Sequence, residues 1–144
     1  MQRSTGPIPN GHTDQRQRAS SATPLRVLIV DDSRDDAERI VGVLRGAGHR
    51  LVWKWVDSAG TLAVALSERD WEWHAITCGC GMAKLHHLSA LHITQALAPR
   101  TPVILLTDTI GKKQRSDCVR RGARALVAKD RLQDLADMIA RHVA

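Results

Sequence analysis

The feature that most constrains the fold is an alternation of short aliphatic runs with helical patterns from Leu25 onward. The run LRVLIV (25–30) has no polar alternation, which is typical of a parallel strand buried on both faces. Four later runs resemble it, and helical patterns separate them. The predicted strands are 25–30, 50–56, 74–79, 102–107 and 125–129, and the predicted helices are 33–46, 58–69, 85–97, 112–121 and 131–143.

Five strands that alternate with five helices predict a parallel sheet with helices on both faces. Because crossovers are right-handed, few topologies are possible, and the flavodoxin-like strand order 2-1-3-4-5 fits a chain of this size. Functional groups in such folds gather at the carboxyl ends of the strands. The residues at those ends are Asp31, Asp32, Cys78, Gly79, Thr107 and Lys129.

The chain has 144 residues, which is enough for one domain. Residues 1–24 are rich in polar residues, glycine and proline, so we expect a flexible tail before a domain over 25–144. No apolar run approaches the ~18 residues that would span a membrane, and the N-terminus lacks the apolar core of a secretory signal. The three cysteines are too few for a disulfide framework, and free thiols in the cytoplasm are the simplest interpretation.

The net charge of +6 is concentrated in one window, residues 112–131, which has eight Lys or Arg residues against two Asp residues. Such a window can attract an acidic protein, an anionic lipid surface or nucleic acid, and it can equally be a solvated helix face. Aromatic residues are absent from it, which argues against binding of single-stranded nucleic acid. The candidate partner face consists of Lys112, Lys113, Arg115, Arg120, Arg121 and Arg124.

The acidic pair after strand 1, the hydroxyl after strand 4 and the lysine after strand 5 resemble the receiver domains of bacterial response regulators. The segments VLIVDDS, PVILLTDTIGK and RRGARALVAKDRL resemble receivers that precede PAS, GGDEF and EAL modules in cyclic-di-GMP proteins. The resemblance implies a CheY-like (βα)5 fold. It also implies that the acidic pair would hold Mg²⁺, that an aspartate ending strand 3 would accept a phosphoryl group, and that Thr107 and Lys129 would stabilise its oxygens.

The sequence departs from this family at the phosphoryl acceptor. Counting back from PVILLT without gaps places the acceptor at Gly79, and a register that uses Trp71 as the strand entry places it at Thr77. Residues 71–107 contain no aspartate under either register. The strand-5 aromatic switch is also missing, since the chain has no Tyr or Phe and Leu126 takes that position.

We therefore expect a pseudo-receiver whose vestigial pocket consists of Asp31, Asp32, Gly79, Thr107 and Lys129. With one carboxylate missing, we expect Mg²⁺ to bind weakly at Asp31 and Asp32 or not at all, and Lys129 to pair with one of these aspartates. Asp108 is a further acid whose orientation the sequence leaves open. We expect no catalytic residue, no small-molecule substrate and no cofactor.

Other residues have plainer interpretations. The pair Cys78 and Cys80 is a weak metal or redox signal, because metal sites usually use paired CxxC spacings, and small packing residues are the favoured interpretation. His86 and His87 are expected at the surface and His92 in the packed stripe of its helix. Trp53 and Trp55 share one side of an outer strand, where an exposed pair would mark an interaction site.

The sequence thus predicts a non-enzymatic interaction, dimerisation or localisation module in bacterial two-component signalling. The resemblance implies the N-terminal receiver of a FimX-type GGDEF/EAL protein of type IV pilus control and twitching motility, in the cytoplasm and in part at the cell pole. The expected partner is another protein or a second copy. The alternatives are a phosphoreceiver with an unusual acceptor, a cysteine-based metal or redox sensor, and a nucleic-acid-binding module.

Overall fold

The computed structural model describes residues 24–68, 72–108 and 111–143, and it confirms the predicted α/β architecture. One sheet of five parallel strands has the order β2-β1-β3-β4-β5. The predicted tail over 1–24 lies outside the described residues apart from Pro24.

The strands are β1 (Leu25–Val30), β2 (Leu51–Val56), β3 (Ala75–Gly79), β4 (Val103–Thr107) and β5 (Ala125–Ala128). The helices are α1 (Arg34–Gly46), α2 (Ala59–Ser67), α3 (His87–Leu97), α4 (Lys112–Arg120) and α5 (Leu132–Val143), with a 3₁₀ turn at Lys129–Arg131.

Side-chain caps fix where the first two helices begin. The Ser33 hydroxyl accepts a hydrogen bond from the backbone N–H of Asp36 at 3.2 Å, and Ser58 forms a capping box with Thr61. The first helix ends at Gly46, and Gly48 follows it with a φ of +99°. Such a conformation suits glycine because it has no Cβ, so this turn can return the chain toward β2.

The sheet separates two hydrophobic layers. One layer, which includes Leu28, Ile76 and Leu105, packs against α2, α3 and α4. The other, which includes Ile29, Ile104 and Leu135, packs against α1 and α5. Because alternate residues of a strand point to opposite faces, every central strand needs apolar side chains at successive positions, which explains the unbroken aliphatic runs.

Several local expectations were wrong. The third helix begins at His87, because His86 is its N-cap and accepts a hydrogen bond from the N–H of Leu88 at 3.1 Å. His92 is exposed instead of packed, since the buried stripe of α3 consists of Ala90, Leu91 and Thr94.

No described helix is both long enough and apolar enough to cross a membrane.

Candidate functional site

The carboxyl ends of four strands meet at one edge of the sheet, as the register predicts. Val30 pairs with Cys78, Gly79 pairs with Leu106, and Thr107 pairs with Ala128. The residues that end β3 and β4 therefore lie beside the residues that follow β1 and β5. This edge brings together Asp31, Gly79, Thr107 and Lys129.

Asp31 is the most buried charged residue of this edge, with 1% of its surface exposed. Its Oδ1 accepts a hydrogen bond from the N–H of Ser33 at 3.0 Å. Its Oδ2 is buried and has no hydrogen-bond partner among the residues that the structure describes. Because burial removes water from the carboxylate, the pKa of Asp31 is raised, although the Ser33 N–H and the Lys129 charge oppose this shift.

The backbone around Asp31 is held by a tryptophan of the neighbouring edge strand. Trp55 donates a hydrogen bond from Nε1 to the carbonyl oxygen of Asp31 at 2.6 Å, and the Asp31 N–H bonds to the carbonyl of Val56. Trp55 is half-buried, whereas Trp53 remains exposed. The two tryptophans therefore do not form the exposed pair considered from the sequence.

Gly79 ends β3 directly opposite the Asp31 carboxylate. A Cβ built on Gly79 would lie 2.9 Å from Oδ2 and 3.3 Å from the carboxyl carbon of Asp31. The contact with Oδ2 is shorter than real Cβ atoms show, so a side chain at residue 79 would require Asp31 to move. The Asp31 carboxylate thus occupies the space that an acceptor side chain at this strand end would need.

Asp32 differs from its neighbour because it is exposed. Its Oδ2 accepts a hydrogen bond from the N–H of Ala83 at 3.0 Å. Gly81, two residues earlier in the same loop, has a φ of +84°, a conformation that favours glycine. The loop after β3 is therefore bonded to the end of β1 through Asp32.

The expected pairing of Lys129 with Asp31 or Asp32 was wrong. Lys129 donates from Nζ to Oδ2 of Asp36 at 3.2 Å, and both side chains are about three-quarters buried. Asp36 lies in the first turn of α1. The hydrogen bond to Asp36, together with the charge of Asp31, raises the pKa of Lys129 even though partial burial opposes the shift.

Thr107 and Leu126 lie on the α3 and α4 side of the sheet. Thr107 is buried, and a hydrogen bond joins its side chain to the Cys80 thiol. Leu126 is buried in the same apolar layer and pairs with Leu105 across the β4–β5 ladder. A leucine has neither the ring nor the polar end with which an aromatic switch would alternate between buried and exposed positions.

Thr77, the other acceptor position considered from the sequence, lies inside the sheet. It pairs with Ile29 and Ile104 and is fully buried, and its hydroxyl has no hydrogen-bond partner among the described residues. A phosphoryl donor in solution cannot reach this hydroxyl without opening the sheet. No described carboxylate or histidine is hydrogen-bonded to it as an activating base.

The cysteines are placed as packing residues. Cys78 and Cys118 are buried, and Cys80 is half-buried against the same apolar layer. Burial raises the pKa of Cys78, Cys80 and Cys118, that of Cys80 to about 11. Thiolate is the reactive and metal-binding form, so these environments disfavour thiol chemistry. Within the described ranges, no three His, Cys, Asp or Glu side chains are grouped as a metal site.

The residues at this edge do not fit a tight magnesium site of the kind that the fold implies. Mg²⁺ requires an octahedral set of oxygen ligands. Asp31 and Asp32 each use one carboxylate oxygen to accept a backbone N–H, and Gly79 supplies no third carboxylate. The small cavity beside Asp31 is lined by Asp36 and Lys129 and not by Asp32, so it does not bring the acidic pair together around one ion.

The candidate partner face is centred on α4, and all six of its basic residues are exposed. Arg120 and Arg121 form ion pairs with Asp117 at 2.6 and 3.6 Å. The other four have no ion pair with any residue in the described part of the chain. These four are Lys112, Lys113, Arg115 and Arg124.

Sequence reasoning missed two residues that hold the site, Asp36 and Trp55. The sequence pattern marks Trp55 only as an outer-strand aromatic, and it gives Asp36 no role at the site. The position of Asp36 three residues after the Ser33 cap was the available signal, because it places the carboxylate on the first turn of a helix that begins at the site.

Comparisons with known proteins locate this fold. No protein-family model and no curated protein matches the chain. Among solved structures, a CheY-like response regulator receiver domain protein from Methanospirillum hungatei has a TM-score of 0.71 at 18% identity over 84% of this chain and 94% of its own. The response regulator domain of Thermotoga maritima CheB has a TM-score of 0.70 at 19% identity, with coverage of 84% and 97%.

A third structure is the receiver domain of the sensor histidine kinase PA1611 from Pseudomonas aeruginosa, which was solved with a magnesium ion coordinated in its active-site cleft. It has a TM-score of 0.70 at 22% identity and covers 84% of this chain and 98% of its own. The chain therefore has the fold of response regulator receiver domains. More narrowly, it is the CheY-like variant of the flavodoxin fold, with the strand order 2-1-3-4-5.

Proposed function

We propose that this chain is a pseudo-receiver: it retains the receiver fold, takes no phosphoryl group, and acts in bacterial signalling through contacts with proteins. The observation that carries the proposal is the position of Gly79. This glycine ends β3 with its Cα facing Asp31, and a Cβ there would lie 2.9 Å from the Asp31 carboxylate. The strand end that should offer a carboxylate oxygen offers none, and a side chain there would require Asp31 to move.

The remaining pocket supports the same proposal. Lys129 is bonded to Asp36, and Asp32 is bonded to the loop after β3, so both side chains have structural partners. Leu126 packs in the core where an aromatic switch would stand. We expect Mg²⁺ to bind weakly at Asp31 and Asp32, because Gly79 supplies no third carboxylate there.

The phosphotransfer part of the proposal is tested with acetyl phosphate and Mg²⁺, followed by intact mass spectrometry. We expect no gain of a phosphoryl group under conditions that label an active receiver run in parallel. A stoichiometric gain, located by peptide mapping to Thr77 or a neighbouring residue, would show a phosphoreceiver with an unusual acceptor and would contradict the proposal.

The interaction part of the proposal rests on the charge of α4. Lys112, Lys113 and Arg115 stand at the first turn of a helix that has no acidic residue there and no side-chain cap at Gly111. Cations are unfavourable at this end because the helix dipole is positive there. These residues cost the fold some stability, so we assign them to an acidic protein partner that this surface recognises.

The cellular setting is proposed from the resemblance of the sequence alone. Receivers with segments such as VLIVDDS and RRGARALVAKDRL precede GGDEF and EAL modules, so we assign the chain to a cyclic-di-GMP protein of type IV pilus control, acting in the cytoplasm and at the cell pole. A fluorescent fusion in a piliated bacterium tests this setting. Diffuse signal and unchanged twitching after deletion would contradict it.

Nucleic-acid binding through residues 112–131 is the second candidate, and it is favoured only by the basic charge. Its test is the salt dependence of binding to duplex DNA. A steep linear fall of log affinity with log salt would support this candidate, because each neutralised phosphate releases counterions.

A further inference from the structure

The outer edge of β2 is the most exposed apolar region of the described chain. Five large apolar side chains among the described residues are exposed, and three of them lie here: Val52 at 41%, Trp53 at 38% and Val64 of α2 at 48%. Beside them is a groove of about 290 Å³, which Trp73 also lines. By contrast, the central residues of β5, the other edge strand, are buried.

The backbone of β2 also has an unpaired side. The N–H of Leu25 bonds to the carbonyl of Arg50, and the N–H of Asp31 bonds to the carbonyl of Val56. In a parallel ladder, alternate residues face the same neighbour, so the even-numbered residues of β2 face β1. The N–H and C=O groups of Leu51, Trp53 and Trp55 therefore point outward, and no described strand pairs with them.

The distribution of charge permits a second copy of this chain to pair with this edge. The excess positive charge lies in residues 112–131, on and around α4 and β5, at the opposite edge of the sheet from β2. Four strand spacings of about 4.8 Å separate the two edges, so two copies joined at β2 would hold their basic regions roughly 40 Å apart. That separation exceeds the Debye length of about 8 Å at physiological salt, so the basic regions would barely repel each other.

We propose that β2 pairs antiparallel with β2 of a second copy, which gives a continuous ten-stranded sheet with a two-fold axis at Trp53. In this register Trp53 lies opposite Trp53 of the other copy, and Leu51 lies opposite Trp55. These are the residues whose N–H and C=O groups point outward, so each such pair can exchange two hydrogen bonds. Opposed aromatic and aliphatic side chains stabilise such pairs.

The register also accommodates the single charged residue of the strand. Lys54 lies opposite Val52 of the other copy and not opposite its own counterpart, so no like charges face each other. The proposal rests on the proposed role of the chain as a protein-interaction module. It uses neither the Asp31 pocket nor the basic residues of α4, so it can fail while those proposals stand.

The test is sedimentation equilibrium of the full chain and of two variants that place opposite charges at residue 52. Val52→Lys places a lysine opposite Lys54 twice per dimer, whereas Val52→Glu places an acid there. We expect the dissociation constant of the dimer to be about tenfold higher for Val52→Lys than for Val52→Glu, because like charges directly opposite each other are unfavourable and opposite charges are favourable. Val119→Lys, at a valine on α4 that is exposed to a similar extent, is the matched control and should leave the dissociation constant unchanged.

Thermal unfolding of each variant shows that the fold is retained. Should Val52→Lys fail to fold, Trp53→Lys replaces it, and we expect the same loss of dimer. Raising NaCl from low to high concentration should change the dimer little. A wild-type chain that stays monomeric throughout would overturn the proposal, as would a dimer that Val119→Lys weakens, that salt strongly tightens, or that the two Val52 variants leave equally stable.

Discussion

The buried carboxylate of Asp31 lies 2.9 Å from the point where a side chain at Gly79 would begin. In an active site of the receiver type, both strand ends would carry carboxylates around a shared cation. In this chain only the β1 end carries a carboxylate, that of Asp31, and its Oδ2 has no hydrogen-bond partner among the described residues. This relationship makes several consequences measurable.

Adding a side chain at residue 79 should destabilise the fold. We predict that Gly79→Ala lowers the free energy of unfolding by about 1–3 kcal/mol, because the new methyl group overlaps the Asp31 carboxylate. Gly42→Ala is the matched control, since no atom lies within 4 Å of that Cβ and alanine favours a helix interior.

A double-mutant cycle locates the cause of this effect. In an Asp31→Ala background, Gly79→Ala should cost less than half as much, because the overlapping carboxylate is gone. Urea denaturation of the four proteins measures the coupling. An equal cost in both backgrounds would mean that Gly79 is needed for its backbone and not for the space beside Asp31.

The Asp31 carboxylate should cost stability at neutral pH. Because its folded pKa is raised above its unfolded value, the folded state binds a proton more readily, and the penalty is present at neutral pH and relieved as the pH falls through the folded pKa. We predict that Asp31→Asn raises the free energy of unfolding at pH 7 by about 1 kcal/mol. The gain should be smaller near pH 4, and a gain that is independent of pH would contradict this explanation.

His74 should make the fold sensitive to mild acid. Its Nδ1 accepts a hydrogen bond from the N–H of Arg26 at 2.9 Å, which requires a neutral ring, and burial and the Arg26 charge lower its pKa. For a histidine with a lowered folded pKa, the unfolded state binds more protons, so its stability contribution is full above about pH 6.5 and is lost below it.

We therefore predict that the free energy of unfolding falls between pH 7.5 and pH 5.5. His74→Gln should be less stable at pH 7.5 but should show a shallower pH slope. The half-buried His87, whose pKa is also lowered, adds to the slope and provides the comparison through His87→Gln. If the free energy of unfolding of the His74 variant falls with pH as steeply as that of the wild type, another group causes the acid sensitivity.

Reversing charge at the start of α4 should stabilise the fold and abolish binding of the acidic partner. We predict that Lys112→Glu with Lys113→Glu raises the free energy of unfolding by about 0.3–1 kcal/mol per site, because acids are favourable near a helix N-terminus. The same change should abolish capture of the acidic partner in a pull-down. Arg131→Glu, on an exposed residue paired with Asp134 outside α4, is a charge-reversal control that should keep the capture.

The sequence predicted most of the fold because its aliphatic runs report burial on both faces of the sheet, and LRVLIV matches β1 residue for residue. Helix starts were less secure. His86 caps α3 from outside it, and a histidine cap has no clear signature in composition or spacing. The placement of His92 failed because a helical stripe indicates a face only to within about one residue.

The sequence indicated which residues lie together at the site but not which hydrogen bonds and ion pairs they form. Strand ends at one edge of a parallel sheet must meet, so Asp31, Gly79 and Lys129 could be grouped from the register alone. The choice of Asp36 over Asp31 as the partner of Lys129 depends on the direction of α1 and the reach of a long flexible side chain. Neither quantity is encoded in residue spacing.

An NMR titration with beryllofluoride and Mg²⁺ tests whether a phosphoryl group can switch this receiver fold. Beryllofluoride needs an acceptor carboxylate at the end of β3. We predict that the amide signals of Thr107, Lys129 and the residues of β5 do not shift at saturating reagent. Saturable shifts of these signals, accompanied by changes at Leu126, would show that the pocket binds the phosphoryl mimic and would contradict the proposal of a pseudo-receiver.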